Sequence, residues 1–287
     1  MRIVTWNVNG IRALRRNYPH LQSHDSLEIL LDDLFKQPDI VCLQEVKSTQ
    51  KATVAEDANL PHMDAFYVFP QTDEGRSGVA VFTREDSARP CGAEDEEQCL
   101  RPYWVEETGG VPCRWAREGR VLVMDYHYFI LLNVYFPASA GPERLPYRHA
   151  FYRAVKEMVH GMISSGRRVI LVGDINVAHR SIDHVDPERA CREQGLAHFE
   201  EHPFRRWFSQ LLQGPRNGTG LVDVYRHLHP EEQGAFTCWS YLGGARTSNY
   251  GTRIDYILLS ADLLPWVQSV HIRPDVQGSD HCPVVLD

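Results

Sequence analysis

Short, nearly unbroken apolar runs recur along this chain, and several of them stop at a carboxylate or an amide. Residues 2–6 read as a buried strand ending at Asn7, and Ile40-Val41-Cys42-Leu43 as a second that delivers Glu45. Runs of this kind suit strands covered on both faces. Between 25 and 36, Leu27, Leu30, Leu31, Leu34 and Phe35 fall at helical spacing, with Asp25 or Ser26 as cap and Pro38 as stop. Strand-like runs follow at 65–69 and 78–83. Two β-rich runs, 120–126 and 129–135, flank His127-Tyr128 and predict a tight hairpin. A helix over 147–163 would carry Phe151, Val155, Met158, Val159 and Met162 on one face. Val169 to Val172 then form a strand with Gly173-Asp174 at its tip. Phe204, Trp207, Phe208, Leu211 and Leu212 mark another amphipathic helix, and 253–259 and 269–273 complete the strands before a last apolar run at 284–286.

Strands alternate with helices early and form hairpins in the middle, so a purely parallel sheet is excluded in favour of a mixed, layered α/β fold. No repeat, low-complexity tract or long linker interrupts the chain. The stretch 85–118, with the acidic run Glu94-Asp95-Glu96-Glu97 and the Gly109-Gly110 pair, reads as an excursion within a single domain over 1–287.

Composition narrows the class. With 287 residues, 43% of them hydrophobic, the chain has ample material for a large core. No apolar run approaches the ~20 residues that cross a bilayer, and the N-terminus shows no signal region. Seven cysteines, odd in number and without a CxxC, read as free thiols of a reducing intracellular compartment. The formal charge of −8 excludes indiscriminate nucleic-acid binding but leaves room for a local basic face. Arginine supplies nearly all the positive charge, lysine standing only at Lys36, Lys47, Lys51 and Lys156. Arginine suits bidentate phosphate contacts.

Chemistry gathers at the strand ends. Asp280-His281 sits between flexible Gly278-Ser279 and stiff Pro283, where a loop enters the last strand. Asn7, Glu45, Asp174, Asn176 and Asp255 occupy equivalent positions after other runs. Any one of them is as well explained by turn formation; six together are not. Oxygen ligands without a cysteine partner suit Mg²⁺ or Mn²⁺ rather than structural zinc. Such an ion neutralises the charge that develops as water attacks phosphorus.

Seven blocks carry a resemblance: TWNVNG at 5–10, LQEVK at 43–47, EGRSGVAVF at 74–82, NVYFP at 133–137, GDINVAH at 173–179, RIDYILLS at 253–260 and GSDHCPV at 278–284. In content and order they resemble the exonuclease III family of AP endonucleases, within the endonuclease/exonuclease/phosphatase superfamily. AFTCWSYLGGAR at 235–246, IDHVD at 182–186 and NYGTRIDY at 249–256 are similar to the AP endonuclease 2 subgroup, which carries an insertion where 85–118 falls. The resemblance implies a four-layer sandwich, two packed mixed β-sheets flanked by helices, with the site at one edge.

It also implies roles. Glu45 would be the principal metal ligand, helped by Asp280 and Asn7, with Asn9 standing where many relatives have Asp. Asp255 would orient His281, which binds phosphate or accepts a proton, while Asp174, oriented by Asn176, activates water or protonates the leaving group. A second ion would draw on Asp174, Asn176 and His281. Tyr135 would donate to a non-bridging phosphate oxygen. Arg12, Arg15, Lys47, Arg76 and Leu242 would meet DNA, and Cys238, Thr252 and Ile254 would wall a sugar pocket that in abasic-specific relatives is lined by large aromatics. Tyr103, Trp104 and Trp115 of the excursion are stacking candidates, whereas His179 reads as structural.

The expected activity is metal-dependent DNA phosphodiesterase chemistry in base excision repair: 3′→5′ exonuclease and 3′-unblocking, with weaker abasic incision. The substrate would be duplex DNA with nicks, 3′ ends or abasic sites. A monomer is expected, nuclear with mitochondria as a further compartment. The subgroup reaches a sliding clamp through a C-terminal region that this sequence does not contain. Two alternatives are an inositol-phosphate or sphingolipid phosphodiesterase of the same superfamily, and a catalytically inactive DNA-binding module.

Overall fold

The computed structural model describes residues 1–287 except 19–25, 54, 72–75, 104–117, 140, 215–217 and 242. In chain order, β1 (Ile3–Asn7) leads through α1 (Ile11–Arg16) and α2 (Leu27–Phe35) to β2 (Ile40–Gln44), α3 (Ala55–Ala58), β3 (Met63–Val68) and β4 (Val79–Arg84). Next come β5 (Gly92–Asp95), α4 (Glu96–Leu100), β6 (Val121–Asp125), β7 (Ile130–Tyr135), α5 (Leu145–Ser164) and β8 (Val169–Asp174). Helices α6 (Pro187–Gln194) and α7 (Pro203–Leu212) precede β9 (Leu221–Asp223) and α8 (Val224–Leu228). The small β10 (Cys238–Trp239) and β11 (Gly251–Thr252) are followed by β12 (Asp255–Ser260), β13 (Val270–Ile272) and β14 (Val284–Leu286).

Two six-stranded mixed sheets result, ordered β13-β14-β1-β2-β4-β3 and β5-β6-β7-β8-β12-β9. The apolar runs are explained by burial on both faces. In β8, Val169 and Leu171 enter the core under α5 and α7, while Ile170 and Val172 enter the core between the sheets. In β1, Ile3 joins that central core and Val4 and Trp6 pack with α1 and α2. Helices, sheet, sheet and helices therefore stack in four layers, as the sequence blocks implied. Between the sheets lies one buried amide pair: Gln44 Nε2 donates to Asn133 Oδ1 at 2.7 Å, and Asn133 Nδ2 donates to the carbonyls of Leu43 and Ala80. Buried amides survive only with such partners. Here they tie β2 to β7 one residue short of Glu45.

The predicted helices and the 126–129 hairpin appear within a few residues of their expected bounds. Ser26 takes the N-cap position of α2, though without a side-chain cap bond; Asp25 lies outside the described residues. The excursion at 85–118 is only partly a departure from the sheet. Its residues 92–95 pair with β6 as an edge strand, and Asp95 caps α4 with a reciprocal Gln98 bond. Trp104, Cys113 and Trp115 fall outside the described residues, whereas Tyr103 packs against the core under α5. The described cysteines are all free. Among the described residues no helix is long and apolar enough to cross a membrane.

Candidate active site

The strand ends expected to carry chemistry lie together because register puts them there. Asp255 is opposite Asp174 across the antiparallel β12–β8 pair, and Tyr135 is beside Asp174 across the parallel β7–β8 pair. Gly173 makes that closeness feasible. A Cβ there would lie 2.0 Å from the carbonyl oxygen of Val134, and its φ of +131° is one an L side chain rarely adopts. From the other sheet come Asn7, at the end of β1, and Glu45, just after β2.

Asn7 joins the two halves. Its Nδ2 donates to Glu45 Oε1 at 2.9 Å and to Asp174 Oδ2 at 3.0 Å, while its Oδ1 accepts the amide of Asn9. Asp174 is further held by the amide of Asn176 at 2.8 Å and by Asn176 Nδ2 at 3.2 Å. His281 Nδ1 sits 2.8 Å from Asp255 Oδ2, and its Nε2 lies 4.0 Å from Asp174 Oδ2. Asp174, Asp255 and His281 thus form a buried group whose ligand atoms all fall within 4.8 Å of one another. The loop bearing His281 is anchored by Trp6 Nε1 on the His281 carbonyl and by Ser279 Oγ donating to the carbonyl of Asn7.

Several of these residues also share an unusual backbone conformation. Asn9, Glu45, Lys47 and Asn176 all have φ between +48° and +56°. Such values are uncommon for residues other than glycine and cluster where surrounding structure over-determines them.

The electrostatics follow from burial. Burial, and then the neighbouring charge of Asp255, pushes the Asp174 carboxyl up to about 8. Burial acts against the His281 imidazolium, yet Asp255 and Asp174 raise its pKa well above the ordinary histidine range. For Glu45, burial pushes upward, but hydrogen bonds from Asn7 and Lys47 more than offset it and hold the carboxyl below its usual value. Burial and the Glu45 charge raise the Tyr135 phenol, which keeps its proton and donates it to Glu45.

A hard divalent cation suits the carboxylates gathered here, with amide side chains beside them. Oδ1 of Asp255 is buried without a hydrogen-bond partner among the described residues, an anionic oxygen that a cation would satisfy. Glu45 and Asp280 are linked through Lys47 and Asn9. Lys47 Nζ pairs with Glu45 Oε2 at 2.8 Å and donates to Asn9 Oδ1, and Asn9 Nδ2 donates to Asp280 Oδ1 at 3.0 Å. The lysine expected at DNA is therefore engaged with Glu45, and Asn9 bridges two parts of the site.

Other expected DNA contacts divide. Arg12 is exposed on α1, and Arg76 is exposed beside the buried Ser77. Arg15 turns to Asp57 at 2.7 Å, so that guanidinium is engaged in an intramolecular ion pair. Cys238 and Thr252 face each other across β10–β11, and the Cys238 thiol is hydrogen-bonded to His281. Ile254 is half-buried against Ala178, Ala190 and Phe199. Leu242 lies outside the described residues. His179 is structural as read: its Nε2 meets Ser209 Oγ at 2.9 Å and its ring packs on Phe208.

Two residues escaped sequence reasoning. Thr237 donates to Asp255 Oδ2 at 2.6 Å and accepts the amides of Ile254 and Asp255, fixing the carboxylate that orients His281. Arg120 is buried with its guanidinium 4.6 Å from the centre of the Tyr135 ring and its Nη1 on the Tyr135 carbonyl. An arginine at the head of an otherwise apolar strand was the available signal for Arg120. A threonine in AFTCWS gave none.

Comparison with known proteins agrees with this geometry. The family model described as Endonuclease/Exonuclease/phosphatase family matches residues 4–281. The chain is 36% identical over its full length to the DNA-(apurinic or apyrimidinic site) endonuclease 2 of Schizosaccharomyces pombe, of which it spans 58%. It is 33% identical to the exodeoxyribonuclease of Bacillus subtilis, covering 98% of that protein. Among solved structures, the Xenopus laevis APE2 catalytic domain superposes with a TM-score of 0.81 at 34% identity, over 100% of this chain and 91% of that one. Fold, strand-end constellation and matched length lead to one assignment: the chain belongs to the endonuclease/exonuclease/phosphatase family.

Proposed function

We propose that this chain is a single catalytic domain, with an insertion at about 85–118, that hydrolyses DNA phosphodiesters in a Mg²⁺- or Mn²⁺-dependent reaction of base excision repair. The single observation that carries the reading is the buried Asp174–Asp255–His281 group, joined through Asn7 to Glu45. Relatives named as AP endonuclease 2 and exodeoxyribonuclease support DNA as the substrate. The favoured activities are 3′→5′ exonuclease and 3′-phosphodiesterase, with weaker incision at abasic sites, on nicked, 3′-ended or abasic duplex. The protein acts as a monomer in the nucleus, with mitochondria as a further compartment.

Glu45, Asp280 and Asn7 would hold the cation, with Asp174, Asn176 and, only when it gives up its proton, His281 available to a second. The chemistry supplied there is neutralisation of phosphate charge and of the departing oxygen. Asp174 takes the proton of the attacking water, a task suited to a carboxyl poised near neutral pH. As the oxygen–phosphorus bond forms, the bond to the leaving sugar oxygen breaks. His281, kept positive by Asp255, meets a non-bridging phosphate oxygen, and Tyr135 would turn its hydroxyl from Glu45 to donate to another. Asn176 fixes Asp174 by two hydrogen bonds.

Side-by-side digestion of paired, mismatched, 3′-blocked and abasic duplexes, with Mg²⁺ and with excess chelator, tests the reading. Metal-dependent release of 3′ nucleotides is expected. No DNA hydrolysis alongside turnover of soluble inositol phosphates would transfer the site to another substrate class.

A further inference from the structure

The loop that carries Asp280 and His281 is gripped from outside by a segment with no part in the chemistry above. Between β10 and β11, Arg246 reaches across and donates to three carbonyls of the approaching chain. Nη1 meets Ser279 O at 2.9 Å, and Nη2 meets Pro274 O at 3.0 Å and Val276 O at 2.6 Å. Its guanidinium lies 4.7 Å from the centre of the Trp239 ring. Trp239 is itself fixed to the same loop, its amide donating to Asp280 O at 2.9 Å, and to the far side of the segment, its Nε1 donating to Asn249 Oδ1 at 3.0 Å. Tyr241 adds a further tie, its hydroxyl accepting the amide of Asp280 at 3.0 Å and Asn9 Nδ2 at 3.1 Å. Tyr241 is 68% exposed, so the segment that holds the loop also presents a surface to solvent above the site.

Three carbonyls converging on one planar fork leave the loop little freedom between 274 and 279. Residue 279 immediately precedes the Asp280–His281 pair, and Ser279 Oγ also anchors to Asn7. A shift of Arg246 would therefore move Asp280 and His281 relative to Asp174 and Asp255, which sit in the other sheet's strands. Its Nη donors go to backbone carbonyls and its plane to an indole face, while the Asp275 carboxylate, bonded to Arg273, also feels its charge.

We infer that Arg246, stacked on Trp239, is a positioning residue for the Asp280–His281 pair and couples the connection between β10 and β11, exposed at Tyr241, to the reaction. The inference rests on the phosphodiesterase reading of the site. In the full chain, Arg246→Met is expected to lower kcat on a nicked duplex roughly 10- to 100-fold, because small displacements of reacting groups are costly. KM for DNA should stay within about threefold. Hydrogen exchange in the 274–284 peptide should quicken, while peptides from β8 and β12 are unchanged. Arg246→Lys should be nearly as slow, since an ammonium cannot span three carbonyls. This milder variant decides the matter if Arg246→Met does not fold. Folded Arg246→Met within about twofold of wild-type kcat, a loss confined to KM, or full recovery with lysine each overturns the inference. If the wild-type protein cleaves no DNA, the activity reading fails, and exchange in 274–284 still separates a clasped loop from a free one.

Discussion

His281 Nδ1 lies 2.8 Å from Asp255 Oδ2, and the same carboxylate oxygen accepts the Thr237 hydroxyl at 2.6 Å. The histidine is thereby fixed in orientation with Nε2 toward Asp174. A carboxylate so placed sets both ring direction and charge. Asp255→Asn keeps the shape but removes the charge that sustains the imidazolium. Turnover should fall roughly 100-fold or more, with DNA affinity little changed. Steady-state kinetics and an equilibrium DNA-binding measurement separate the two; a variant within about twofold of wild type would show the pairing to be idle.

Asp280 tests the cation assignment. Among the described residues its carboxylate accepts from the side chains of Asn9 (Nδ2) and Ser279 (Oγ), and it is half-buried. Asp280→Ala should leave the melting temperature close to wild type while cutting kcat roughly 100- to 1,000-fold. Calorimetry with Mn²⁺ should show weakened binding. Unchanged Mn²⁺ affinity with lost DNA affinity would move Asp280 to a substrate-contact role.

The sugar-pocket reading is sharpened by the register of Cys238 with Thr252, which are direct cross-strand partners. Side chains so placed share one face. Their small size predicts poor discrimination between an abasic sugar and an intact nucleotide, and so exonuclease activity above abasic incision. Cys238→Phe with Thr252→Trp should shift the ratio toward incision, and the two must be combined because neighbouring effects need not add. Cys238 also touches His281, so the single Cys238→Phe variant is needed to separate pocket size from disturbance of the histidine. An unmodified enzyme that incises abasic sites much faster than it removes a mismatched 3′ nucleotide would contradict this pocket.

Acid and alkaline stability should be governed by two glutamates of opposite sign. Burial pushes Glu118 upward, but Arg144, Arg120 and Tyr147 outweigh it and bring the carboxyl down to about 2 from 4.5. Its contribution is complete above about pH 4.5 and is lost as pH falls through about 2. Glu96 is pushed up to about 8, chiefly by burial, and one of its oxygens is buried without a partner among the described residues. Its carboxyl favours the fold below about pH 4.5, and that favour fades as pH rises through about 8. Melting temperatures from pH 3 to 9 should therefore show Glu118→Gln lowering stability most at neutral pH and least in acid. Glu96→Gln should gain on wild type as pH rises. Parallel curves for either variant would remove that carboxyl from the linkage.

A buried pair of arginines gives a last expectation. Arg253 is 1% exposed and bonds Asp183 at 2.8 Å and Asp223 at 2.7 Å, while Arg226 shares Asp183 at 2.7 Å. Removing one member strands buried carboxylates, so Arg253→Met should cost about 3–5 kcal/mol of unfolding free energy. Urea denaturation measures it; a loss below about 1 kcal/mol would mean that the carboxylates find water or neutralise cheaply.

Local pattern carried most of the architecture. Apolar runs long enough for strands and helical spacing in 27–35 and 204–212 needed only their immediate neighbours to be read, because periodicity is a short-range property of the backbone. Ordered blocks at the strand ends likewise exposed Glu45, Asp174, Asp255 and His281 as a set. Contacts were another matter. Asn7 meets Asp174 across 167 positions and His281 meets Asp255 across 26, distances closed by sheet register and by the stacking of one sheet on the other. Tertiary packing likewise set Lys47 beside Glu45, Arg15 beside Asp57, and Arg246 on the loop that precedes Asp280. A charged side chain takes the partner that packing brings within reach, and no periodicity in the sequence records which one that is.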